Sequence, residues 1–202
     1  MYNFINNLLV CGLMVDNESS FAYNIANPAG LGLLAFGMTT VLLSLHNLGL
    51  FGLDSAILSM GIFYGGLAQV IAGIFEFKKG NTFGATAFTS YGLFWLTFVL
   101  INTGLLPGAA ADNVSLGAYF AVWGILTLFL FIGTLRGTRA LQVVFFTLAV
   151  LFFIVSIRNL SEVSEVAYVA GAVGLICGGS AMYTAFGEVL NEQLRKTVIP
   201  LG

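Results

Sequence analysis

The chain is 202 residues long, 58% hydrophobic and 8% charged, with a formal net charge of −2. Soluble domains carry about a quarter charged residues, so this composition, with its mean hydropathy of +0.97, excludes a fold whose whole surface faces water. So small a net charge, without a basic cluster interleaved with aromatics, also excludes nucleic acid as a partner.

Residues 1–20, MYNFINNLLVCGLMVDNESS, hold a short apolar run but neither the basic n-region nor the small-residue cleavage site of a secretory signal. Residues 1–25 are therefore expected to form an N-terminal cytoplasmic extension, mobile or lying on the surface. Six apolar stretches follow within residues 26–202, at about 31–51, 55–75, 84–106, 115–135, 139–157 and 165–188. Each is near the ~20 residues that cross a hydrocarbon core of about 30 Å, and the separators are too short for a soluble domain. The expected fold is an all-α integral membrane protein of six transmembrane helices.

Charge placement tests that count independently. With six spans, Lys78, Lys79, Arg136, Arg139, Arg195 and Lys196 fall on one side and Arg158 opposite. By the positive-inside rule the first side is cytoplasmic, with both termini on it; five or seven spans would scatter these residues over both faces.

Small residues recur at helical spacing in the second span (Gly61, Gly65, Ala68, Ala72) and the sixth (Gly171, Gly174, Gly178, Ala181, Ala185). In lipid, where the hydrophobic effect does not press helices together, such stripes let backbones approach closely. A permeant path lined by glycine is the alternative reading.

The third and fifth spans begin alike. KKGNTFGATAFTSYGLFW aligns with LRGTRALQVVFFTLAVLFF on Gly80 and Gly137, which places Tyr91 and Leu148 each eleven residues past its glycine. The first span echoes them loosely, with Phe36 nine residues past Asn27. All three spans run outward from the cytoplasm, so at about 1.5 Å per residue these side chains reach roughly 14 to 17 Å into the core. If the three helices surround an axis, the trio forms a constriction or gate; the other reading is ordinary packing against lipid or core.

The odd-numbered spans are also the more polar. They carry Thr39, Thr40, Ser44, His46 and Asn47 in the first, Thr82, Thr86, Thr89 and Ser90 in the third, and Gln142 and Thr147 in the fifth. Hydroxyls and amides can pass a small polar solute along, or bond back to their own helices. At the start of the first span, Asn27 can cap the helix and Pro28 suits its first turn, where an N–H has no intrahelical partner. The exposed N–H groups of such a helix end suit an anion.

Chemistry is poorly provided for. His46 stands alone, no H-E-x-x-H or G-x-S-x-G occurs, and Cys11 and Cys177 lie outside any C-x-x-C pattern. No enzyme, metal or cofactor is expected.

At Asn27 the chain resembles a known family. NPAGLGL at 27–33 is similar to the signature of the acetate uptake transporter family, whose bacterial members include the succinate-acetate permeases. The likeness continues through FGMTT at 36–40, LHNLG at 45–49, MGIFYGGLAQVIAG at 60–73, KKGNTFG at 78–84, TAFTSYG at 86–92 and GEVLNEQ at 187–193. Gly30 departs from the proline common in that family.

The resemblance implies six helices around a pore within each protomer, homohexamers, and passage of acetate and in some members succinate. It places the family's constriction on Phe36, Tyr91 and Leu148. The expected pathway runs past Asn27, Pro28, Thr39, Thr40, Asn47, Thr86, Thr89, Ser90, Gln142 and Thr147. Glu76 and Glu188, near the ends of their spans, are candidates for proton coupling, with an interfacial role beside Lys78 and Lys79 as the other reading of Glu76. The scarcity of intramembrane charge favours a channel or facilitator over a pump-like symporter. The alternative function is a channel for a small neutral solute such as urea or short amides.

Overall fold

The computed structural model describes residues 25–105, 110–161 and 163–202. The expected extension over 1–25 lies outside them apart from Ile25, as does part of the third loop. Six helices are each long and apolar enough to cross a membrane: α1 Ala29–Asn47, α2 Ser55–Lys79, α3 Thr82–Thr103, α4 Asn113–Thr134, α5 Arg139–Ser161 and α6 Val166–Leu194. Among the described residues there is no strand.

Helix ends follow backbone chemistry rather than hydropathy. α2 runs past the expected end at 75 to Lys79 and stops where Gly80 takes the left-handed conformation at φ 77°, which glycine adopts without a Cβ clash. α6 likewise continues past 188 to Leu194. An apolar window locates the lipid-crossing part, and both helices continue through their polar ends to a break in the backbone. Asp112 caps α4 by accepting from the Ser115 amide at 2.6 Å, and the bonds from Ser115 hold its carboxyl below the ordinary range.

The helices form a ring in the order α4, α5, α6, α1, α2, α3. It closes mainly through aromatic contacts between α3 and α4, with Phe94 packed against Tyr119 and Trp123 at ring-centroid distances of 6.0 and 5.2 Å. The odd helices therefore alternate with the even ones around the bundle. Their close approach is set by the small-residue stripes. On α1 and α6 the fit is reciprocal: a Cβ on Gly37 would lie 2.7 Å from the Gly178 carbonyl oxygen, and one on Gly178 would lie 2.7 Å from that of Gly37.

The stripe of α2 departs from expectation in one respect. Residues 61–68 form a π-helical segment, whose wider turn delays the inward face by one position. Gly61 and Gly65 are buried as expected, with Gly66 beside them, but Gln69 is buried where Ala68 is only half-buried.

Beyond α6 the chain folds back as a strap. The Asn191 side chain accepts from the Val198 and Ile199 amides at 2.7 and 3.0 Å, and Tyr183 donates to the Pro200 carbonyl at 2.7 Å. The Leu201 carbonyl then accepts from Ala140 N at 2.9 Å, satisfying one of the free amides that begin α5.

This packing makes a paired prediction. Gly178→Ala forces α1 and α6 apart and destabilises the protein by about 1–3 kcal/mol, whereas the adjacent Gly179→Ala, whose Cβ meets nothing within 4 Å, does not. Thermal unfolding of both variants in detergent checks the difference.

Candidate functional site

The bundle brings together the three residues singled out by the repeat. Phe36, Tyr91 and Leu148 are 4%, 3% and 3% exposed and belong to one apolar cluster, with the Phe36 and Tyr91 rings 6.0 Å apart. Tyr91 is held from two directions. Phe145 on α5 lies 6.1 Å away and Phe152 stacks at 6.4 Å. On α4, Thr127 Oγ1 accepts from the Tyr91 hydroxyl at 2.9 Å, while its own hydrogen goes to the Trp123 carbonyl at 2.7 Å.

Two cavities meet at this neck. The basal one, at the end that carries Lys79 and Thr138, has a volume of about 320 Å³; the distal one, at the end that carries Asn102 and Arg158, about 730 Å³. Phe36 and Leu148 line both, and Tyr91 lines the basal cavity.

The basal rim is a chain of charge-assisted hydrogen bonds. Asn27 Nδ2 donates to Glu188 Oε2 at 2.8 Å, and Asn27 Oδ1 accepts from Lys79 Nζ at 2.9 Å and from Ala29 N at 3.3 Å. One asparagine thus accepts from the first amide of α1 and links a cation to an anion on different helices. Glu76 is wholly buried; Asn81 Nδ2 donates to its Oε2 at 2.8 Å, and its Oε1 has no hydrogen-bond partner among the described residues. Its neighbour at this rim is Asn81, while Lys79 turns to Asn27 and Lys78 lies 5.4 Å over the Phe75 ring.

The distal cavity is lined by aromatics with polar groups from several helices, among them Thr40, Ser44, Asn47 and Arg158. The hydroxyls there are committed: Thr40 donates to the Phe36 carbonyl at 2.7 Å and Ser44 to the Thr40 carbonyl at 2.6 Å. Each hydroxyl has one hydrogen, so both face the cavity as acceptors. His46 Nδ1 lies 2.8 Å from the Phe51 carbonyl, which can only accept.

Of the expected pathway residues, Asn27 lines the basal cavity and Thr40 and Asn47 the distal one; Pro28, Thr39, Thr86, Thr89, Ser90, Gln142 and Thr147 line neither. Thr39 and Thr147 donate back to helix carbonyls at 2.7 Å, Thr89 packs against Gly73, and Gln142 closes the α4–α5 turn by donating to the Gly137 carbonyl at 3.2 Å.

Gln69 lines the basal cavity at 1% exposure, with its Oε1 unpartnered among the described residues. Gln69 lies four residues past Gly65, at ordinary helical spacing, and a stripe traced through small residues alone passes over it to Ala68. Trp95, 2% exposed, lines the distal cavity with its Nε1 likewise unpartnered. Its signal was present in the repeat, four residues past Tyr91.

Comparison with known proteins adds a family. The profile of the GPR1/FUN34/yaaH family matches residues 12–201. Over 182 residues the chain is 58% identical to the Escherichia coli (strain K12) protein named succinate-acetate/proton symporter SatP, covering 88% of this chain and 96% of that one. It is 32% identical over 204 residues to acetate permease A of Emericella nidulans, covering 92% and 68%. A solved structure, that of the bacterial acetate channel SatP, matches with a TM-score of 0.85 at 57% identity, covering 89% of this chain and 100% of that one.

The tether on Tyr91 is testable by stability. Thr127→Val removes the acceptor at nearly constant shape and leaves a buried hydroxyl unpaired, a cost of about 1–3 kcal/mol. Thr127→Ser keeps the acceptor and most of the stability, as thermal unfolding of the two variants will report.

Proposed function

This chain belongs to the GPR1/FUN34/yaaH family, and we propose that it carries small carboxylates, acetate and succinate, across the cell membrane through a path inside each protomer. The observation that carries this reading is the meeting of two cavities at Phe36 and Leu148 within one chain. A carboxylate moving from the basal cavity leaves the Asn27 and Lys79 rim, passes the neck of Phe36, Tyr91 and Leu148, and enters the distal cavity beside Thr40 and Asn47. Lys79 at one mouth and Arg158 at the other draw anions toward both.

The neck selects by width and by cost. A bare carboxylate in apolar surroundings is expensive, so the substrate crosses with part of its water or as the neutral acid. Proton linkage is assigned to Glu76 and Glu188, which line the basal cavity next to the asparagine and lysine partners described above. In this reading the protein moves its substrate unchanged. With few charges along the path, transport is passive and follows the gradients of acid and proton.

The protein is a multi-pass membrane protein. Its basal end, with Lys79, Arg139 and the C-terminal strap, is assigned to the cytoplasm by the positive-inside rule, and with it both termini in a plasma membrane. A homohexamer with one path per protomer follows from the family resemblance.

Labelled solute uptake into liposomes containing the purified protein tests the reading. Acetate enters, and enters faster when the exterior is the more acidic side; urea does not. Entry of urea without acetate would favour a neutral-solute channel instead. Tyr91→Ala and Leu148→Ala widen the neck and raise succinate uptake severalfold relative to acetate; unchanged uptake of both acids in both variants contradicts the gate. Glu76→Gln and Glu188→Gln abolish or weaken the response to the pH gradient while acetate still equilibrates.

A further inference from the structure

The repeat that aligns Phe36, Tyr91 and Leu148 also aligns the residues one turn beyond them. Four positions on, α1 presents Thr40, α3 presents Trp95 and α5 presents Phe152, and all three line the distal cavity. Residues four apart lie on the same helix face, about 6 Å along the axis, so these three form the ring that a solute meets on leaving the neck.

Only one member of that ring can give a hydrogen bond to an anion. Phe152 has no polar atom. The Thr40 hydrogen is committed to the Phe36 carbonyl at 2.7 Å, and in the neck itself the Tyr91 hydrogen is committed to Thr127 at 2.9 Å. Trp95 Nε1–H is a donor and nothing else, it is buried, and it has no hydrogen-bond partner among the described residues. A buried N–H without a partner costs free energy, so its retention calls for an explanation.

The packing of the indole supplies the direction. A Cβ on Gly65 would lie 2.9 Å from Trp95 Cγ, and one on Gly61 would lie 3.6 Å from Cε3. Cγ and Cε3 belong to the same long edge of the indole, which rests on the glycine ridge of α2 at its π-helical segment. Nε1 belongs to the opposite long edge of the ring. Phe94 and Phe98 pack edge-on against the ring at 5.7 and 5.8 Å, and a turn of the indole toward the distal cavity that it lines presents the N–H there.

We propose that Trp95 Nε1–H is the binding donor that receives the substrate carboxylate on the distal side of the neck. The assignment deepens and rests on the carboxylate-transport reading. It makes the glycines of the π-helical segment part of the site, since a side chain at Gly65 would displace the indole.

Two replacements separate hydrogen bonding from packing. Trp95→Phe removes the N–H and part of the ring; replacing Trp95 with 3-benzothienylalanine keeps the indole shape and puts sulfur where the N–H was. In liposome uptake, both are expected to raise the half-saturating acetate concentration about tenfold or more, the range for a hydrogen bond to a charged group. A second measurement needs no variant to transport. The chain has two tryptophans, so 5-fluorotryptophan labelling gives two fluorine resonances, and the one lost in Trp95→Phe is expected to shift saturably with acetate. Half-saturation within twofold of wild type in the benzothienyl protein, or a Trp95 resonance indifferent to acetate, overturns the assignment alone. Absence of acetate uptake by the wild type overturns the transport reading and this assignment together.

Discussion

A charged carboxylate crossing this bundle has to pass a place where the protein offers it almost nothing. At the neck the side chains are a phenylalanine, a leucine and a tyrosine whose hydroxyl hydrogen is bonded to Thr127, so water shed there is not replaced by the wall. The cost of a naked ion in such surroundings is many times thermal energy. Everything else in the proposed pathway answers that cost. Polar groups gather at both mouths, and Glu76 and Glu188 line the basal cavity from which the neck is entered.

The geometry that sets the neck comes from the even-numbered helices. The reciprocal fit of Gly37 and Gly178 brings α1 onto α6, and the glycines of α2 let α3 sit close enough for Trp95 to lie on the ridge. α4 contributes Thr127, which fixes Tyr91, and the aromatic contacts with Phe94 that close the ring. The odd helices carry the neck, and the even helices position it while adding Gln69, Glu76, Lys79 and Glu188 to the lining of the basal cavity. Small residues in lipid give close approach without a hydrophobic driving force, so packing and function are coupled through the same glycines.

Much of this was legible in the sequence because it depends on period and composition. The six helices follow from apolar length, and the meeting of Tyr91 and Leu148 from a repeat counted off Gly80 and Gly137, with Phe36 a looser echo counted off Asn27. The small-residue stripe of α6 keeps a regular helical period, and its buried face matches the expected one at Gly171, Gly174, Gly178, Ala181 and Ala185. What the sequence concealed depends on departures from that period or on partners distant in the chain. On α2 Gln69 faces inward in place of Ala68, and a stripe followed through small residues alone passes over a glutamine. Thr40 and Thr147 both donate back to their own helices, and which of them borders a cavity depends on how each helix is rotated in the bundle, which the sequence does not give. The union of Asn27, Lys79 and Glu188 spans 161 positions and required the folded ring.

The central claim is a path inside one protomer, divided at the neck into compartments open to opposite faces of the membrane. Accessibility of single cysteines tests it most directly. With Cys11 and Cys177 replaced, Thr184→Cys reports from the basal cavity and Thr40→Cys from the distal one. In oriented membranes a membrane-impermeant thiol reagent is expected to modify Thr184→Cys from the cytoplasmic side and Thr40→Cys from the opposite side, with acetate slowing both. Modification of both positions from the same side, or acetate-independent rates at each, would contradict a divided carboxylate path through the protomer.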